Sequence, residues 1–227
     1  MAEAGKAEYP LPMYVNAAMY GVVKDQFTPS RGHPWDLVMD VWRAGAPQID
    51  ILSPDVYNVG DFVAFCAKYT QSGNPLLIPE TSSGPGCAAR AIYALGRYDA
   101  IVFSPFGVDR LRKDSELASV YGLLSKLAPL ILEHQGDGTM TAVLLRTNDP
   151  PQKVKVGSYT LEVMPARTRG ASGTTPLPQN RPLGSVVHCY GAWRVLCGGR
   201  QRAGHVFLQH ARHSARRHGH CGRRRLC

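Results

Sequence analysis

The chain has 227 residues, 44% of them hydrophobic, with a formal net charge of +9. That length and apolar content suit one large globular domain or one and a half smaller ones with a real core, and no apolar run approaches the roughly 20 residues that would span a bilayer. Residues 171–227 hold 10 of the 26 Lys and Arg and none of the 17 acids, so the excess charge lies wholly in the tail and the remainder is near neutral.

The first ten residues lack the continuous apolar core of a secretory signal, so neither a membrane partner nor export is visible and localisation stays open. The polar segment Ala2 to Glu8 reads as a helix end, with Glu3 and Glu8 as solvated helix residues. Leu11 to Ala17 is strand-like and ends in small and polar residues. It begins abruptly, as if something preceded it. A loop rich in Gly, Pro and charge runs from Gly21 to Pro34. Trp35, Val38, Met39 and Trp42 then recur at helical spacing, with Pro34 suited to the first turn and the two indoles read as core packing.

Gly45-Ala46-Pro47 breaks that helix, and Ile49 to Tyr57 reads as a second buried strand with polar groups at its far end. Phe62, Phe65, Cys66 and Tyr69 mark a helix that stops near Ser72-Gly73. Leu76 to Pro79 is a short apolar run closed by proline and followed by a lone carboxylate, Glu80. Such a run suits a buried parallel strand that delivers Glu80 to the carboxyl end of a sheet, where α/β enzymes keep their chemistry. The bland alternative is that Glu80 caps the next helix or sits in a solvated loop. Ser82-Ser83-Gly84-Pro85-Gly86 lacks the Gly-Lys-Ser/Thr ending of a phosphate loop, and no nucleotide or metal cofactor is expected.

A helix is expected over Ala88 to Tyr98 and a fourth strand over Asp99 to Gly107. Asp114-Ser115-Glu116 then introduces an amphipathic helix carrying Leu117, Val120, Tyr121, Leu124, Leu127 and Ala128. Strand followed by helix four times, at intervals of about 25 to 40 residues, predicts βαβ crossovers in a parallel sheet. Four such units make half of an eightfold barrel or one open sheet. Beyond Gly136-Asp137-Gly138 the period changes to two: Thr139 to Thr147 is a strand, and Lys153 to Val156 with Tyr159 to Met164 form a hairpin at Gly157-Ser158. The expected domains are therefore 1–136, a 137–168 segment opening a β-sandwich-like appendage, and a low-order basic tail over 169–227.

From Arg181 to Cys227 there is no Lys, Asp, Glu, Ile, Met, Asn or Thr. Arg216, Arg217, Arg223, Arg224 and Arg225 could neutralise phosphates in a non-enzymatic nucleic-acid-binding protein. His210, His213, His218, His220 and Cys221 could hold a metal, but the paired Cys-x-x-Cys spacing of structural zinc is missing. The sharper expectation is out-of-frame translation of GC-rich coding DNA, with a frameshift between Arg169 and His188 and no nucleic-acid partner. Cys66 and Cys87 in the body are read as buried free thiols.

The series Pro10 to Asn16, Ile49 to Tyr57, Pro75 to Glu80 and Phe103-Ser104-Pro105-Phe106-Gly107 resembles the later half of bacterial β-galactosidases of glycoside hydrolase family thirty-five, over about residues 5 to 165. The resemblance implies the second half of a (β/α)8 TIM barrel, strands five to eight, in a retaining enzyme that cleaves terminal β-galactosides without a cofactor. It places Glu80 as catalytic nucleophile and Tyr57 as its hydrogen-bond partner. Asn16, Asp55 and Phe106 become candidates for lining the sugar site, with a structural role for Asp55 equally open. Such chemistry needs a second carboxyl group about 5–5.5 Å from the first. In that family the acid/base follows an Asn-Glu pair, and this sequence has no such dipeptide. The expectation is an enzyme by ancestry whose isolated chain is an inactive fragment, or else another retaining β-glycosidase of the same clan.

Overall fold

A computed structural model of the chain describes residues 1–18, 34–57, 62–146, 149–156, 159–163, 182–189 and 206–210. They divide into two compact units: residues 1–87 with 98–111, and residues 88–97 with 112–227.

The first unit contains α1 (Ala2–Glu8), β1 (Tyr14–Ala18), a 3-10 turn over Asp36–Val38 running into α2 (Met39–Gly45), β2 (Ile51–Val56), α3 (Phe62–Tyr69), β3 (Leu77–Thr81) and β4 (Val102–Pro105). The four strands form one parallel sheet in the order β1-β2-β3-β4. An α/β architecture with a four-stranded parallel sheet is what the strand-helix alternation predicts. Phe62, Phe65, Cys66 and Tyr69 recur at helical spacing and all four are buried in α3, as their pattern requires. The Phe62 ring meets Phe103 of β4 edge to face, with centroids 6.4 Å apart. The Tyr69 hydroxyl donates to the carbonyl of fully buried Pro34 at 3.0 Å, anchoring the entry to the Trp35 segment. Of the two indoles, Trp35 is buried and Trp42 only partly so.

Pro54 and Pro79 each stand one position before the Asp55–Glu80 pair at which β2 and β3 come into register, and neither has an N–H to give to a ladder. Earlier along β2 a side chain bonds the strand backbone. Buried Asn74 accepts from Leu52 N–H at 2.9 Å and donates to the Leu52 carbonyl at 3.0 Å and the Tyr69 carbonyl at 2.7 Å. One amide thus joins β2 to the end of α3.

The second unit contains most of α4 (Cys87–Tyr98), then α5 (Glu116–His134), β5 (Met140–Arg146), β6 (Gln152–Val156), β7 (Tyr159–Val163), β8 (Pro182–Cys189) and β9 (Val206–His210). Ser115 caps α5, its hydroxyl accepting from Ala118 N–H at 3.1 Å. β6 and β7 form the expected antiparallel hairpin. Val143, Leu145, Val156, Leu161 and Val163 bury a small core between the strands of this unit.

Of the basic tail, two segments fall within the described residues. Pro182–Cys189 pairs antiparallel with β5 along its length, and Val206–His210 pairs with β7. Neither segment carries a periodic pattern of its own. Their order comes from ladders offered by strands far away in the chain, which local sequence does not register. No helix among the described residues is long and apolar enough to cross a membrane.

Candidate active site

The chemistry-bearing groups of the first unit gather at the carboxyl ends of β1, β2 and β3. Asp55 lies directly across from Glu80 in the parallel register, and Asn16 lies across from Ser53, two positions earlier on the same face of β2. Glu80 belongs to β3 itself, so the alternative that it caps a helix or floats in a loop does not hold.

How Glu80 comes to share a face with Asp55 depends on a bulge. Ile78 pairs with Phe103 and Thr81 with Pro105, so three steps along β3 match two along β4. Phe103 and Pro105 share a face of β4; Ile78 and Thr81 must therefore share one as well. Glu80, adjacent to Thr81, is turned to the opposite side. Without the extra residue, Glu80 would follow Ile78, which is fully buried on the Phe103 side. The bulge re-aims one carboxylate from the core to the rim.

Thr81 then pins the turned segment. Its hydroxyl donates to the Val56 carbonyl at 2.6 Å, and its own carbonyl accepts from Phe106 N–H at 2.8 Å. Gly107, at φ 74°, takes the left-handed conformation that closes this exit turn.

Two hydrogen-bonded pairs result. The Tyr57 hydroxyl donates to Glu80 Oε1. Asn16 Nδ2 donates to both oxygens of Asp55, each at 2.8 Å. Asp55 is 5% exposed and Tyr57 42%, Glu80 is half-buried and Asn16 exposed. Desolvation, then the hydrogen bond to Glu80 and the charges of Glu80 and Asp55, push the Tyr57 phenol up to about 12. It stays a donor throughout the neutral and alkaline range.

Four of the five expected site residues, Asn16, Asp55, Tyr57 and Glu80, are brought onto one rim. The fifth, Phe106, joins it through its backbone bond to Thr81, with a side chain 60% exposed. Asn74 and Thr81, which hold the strands beneath the rim, escaped sequence reading. Asn74 stands between Gly73 and Pro75, where an asparagine ordinarily signals a turn, and nothing marks Thr81 as a strand clamp. Among the described residues no group of three His, Cys, Asp or Glu is placed to hold a metal ion. Of the tail's metal and phosphate candidates, His213, His218, His220, Cys221 and the arginines lie outside the described residues, and only the backbone of His210 falls within them.

Residues 117–215 match a family model described as a domain of unknown function, DUF5597. No curated protein matches the chain. The match covers α5 from its second residue and the five described strands of the second unit, crosses the expected frameshift interval, and begins after Phe106, the last of the site residues. It therefore bears on the appended strands and leaves the rim to be judged by its own geometry.

Proposed function

We propose that the rim is the nucleophile half of a retaining β-glycosidase site of the β-galactosidase type, carried on what would be strands five to eight of a (β/α)8 barrel. The observation that carries this reading is a carboxylate turned by a bulge to the carboxyl end of a parallel sheet, with a tyrosine hydroxyl bound to one of its oxygens. Tyr57 holds Oε1, so Oε2 is the oxygen left to attack an anomeric carbon. The phenol also spreads the negative charge of the waiting carboxylate and keeps it oriented.

Retention requires a partner that protonates the departing oxygen and then activates water. Asp55 is the nearest carboxyl group by register, but it is buried and occupied by Asn16. Glu3 and Glu8 are exposed on α1. Among the described residues none of these three is placed to serve Glu80 as a general acid, and loss of such an acid costs on the order of 10²–10⁴ in rate. The chain's turnover of aryl β-galactosides should accordingly be negligible.

A donor with a leaving group that needs no protonation separates the two halves of the chemistry. On incubation with a 2-deoxy-2-fluoro-galactosyl fluoride, a bond should form between Glu80 Oε2 and the anomeric carbon as fluoride departs. Intact-mass and peptide mass spectrometry should find one adduct, on Glu80, and none in Glu80→Gln. No adduct, or one on another residue, would overturn the assignment.

A further inference from the structure

We propose that Asp55 is a positioning residue that acts through Asn16, turning that amide so that its carbonyl oxygen is what the rim offers to a ligand hydroxyl. An ionised carboxylate can only accept hydrogen bonds, so the end of the Asn16 amide that meets both Asp55 oxygens at 2.8 Å is the nitrogen. The oxygen is left at the other end of a side chain that is itself exposed, while the carboxylate beneath it is buried. A buried charge thus fixes the polarity of an exposed amide, and a charged acceptor makes that hold stronger than a neutral one would.

The rim then ends in two acceptors. Glu80 Oε2 is one and Asn16 Oδ1 the other, since the Tyr57 proton is spent on Oε1. Such a surface selects a ligand that presents hydroxyl donors, and discriminates against one in which the hydroxyl facing Asn16 has been replaced by hydrogen or fluorine. The saccharide class of the ligand rests on the glycosidase reading above; the orientation of the amide does not.

The experiment uses the full chain and deoxygalactonojirimycin, a galactose-configured iminosugar, with its singly deoxygenated and singly fluorinated analogues, titrated by calorimetry. In the natural protein, one hydroxyl position should show a penalty of about tenfold on replacement, the worth of one hydrogen bond. In Asp55→Asn, whose neutral amide lets Asn16 reverse, that penalty should shrink to about twofold or less, and in Asn16→Ala it should disappear. A uniform weakening of every analogue, with the penalty unchanged, would mark Asp55 as merely structural and overturn the proposal. NMR gives a ligand-free readout: the Asn16 side-chain amide protons should exchange slowly in the natural chain and rapidly in Asp55→Ala. Fast exchange in the natural chain would equally overturn it. If Glu80 is labelled and these patterns are missing, this proposal alone fails. If no iminosugar binds and Glu80 is not labelled, the saccharide reading fails with its hydroxyl preference, and the amide protons still decide whether Asp55 holds Asn16.

Discussion

Tyr57 and Glu80 define what one residue can do for another on this rim. A hydrogen bond to a charged group contributes about 1.5–3 kcal/mol, so Tyr57→Phe should slow labelling of Glu80 by about 10- to 100-fold without changing which residue is labelled. The same variant isolates the phenol in a pH titration. The difference in ultraviolet absorbance between the natural chain and Tyr57→Phe should show its step near about 12, and none at the ordinary tyrosine value of 10.0. The sign for stability follows from the direction of that shift. The folded chain holds this proton more tightly than the unfolded one, so its contribution is complete below the unfolded value and is lost as pH rises through the folded one. A labelling rate that fell together with ionisation near pH 10 would contradict the placement of Tyr57 against Glu80.

At the scale of elements, Asn74 is the residue that ties β2 to the end of α3. Asn74→Ala removes the bonds that its side chain makes to the Leu52 N–H, the Leu52 carbonyl and the Tyr69 carbonyl. Each unsatisfied buried group costs about 1–3 kcal/mol, so a loss of about 3 kcal/mol or more is expected in urea unfolding monitored by circular dichroism. Asn74→Asp keeps the shape but sets a carboxylate against two carbonyl oxygens, and should be no milder. Much at this scale was legible beforehand. Short apolar runs ending in polar groups announced β2 and β3, and the spacing of Phe62, Phe65, Cys66 and Tyr69 announced α3 with its buried face. Glu80 could be named because a carboxylate after a buried run is unusual. The bulge that turns it could not, because it exists only in the match between β3 and β4. Asn74 was hidden for a related reason: a turn signal and a buried backbone mimic look the same until the partner strand is in place.

Over the whole molecule, the division of charge and the division of structure fall at different points. The acid-free segment begins after Glu162, yet the strands Pro182–Cys189 and Val206–His210 within it pair with β5 and β7. A chain ending after Gly170 should therefore lose hydrogen-exchange protection along Met140–Arg146, whose ladder partner among the described residues is β8, while Ile51–Val56 and Leu77–Thr81 keep theirs. Unchanged protection in β5 would mean that the tail contributes nothing to the fold, as an out-of-frame extension predicts. The tail's strands were illegible because their order is borrowed from distant ladders, whereas the body's strands carry their own apolar signature.

The bulge between β3 and β4 has one more effect. Sliding β3 along β2 by a single residue would turn Glu80 back toward the aromatic interior, where Ile78 and Phe103 lie. A mis-threaded sheet would thus bury a charge, and the correct alignment is left without a close competitor.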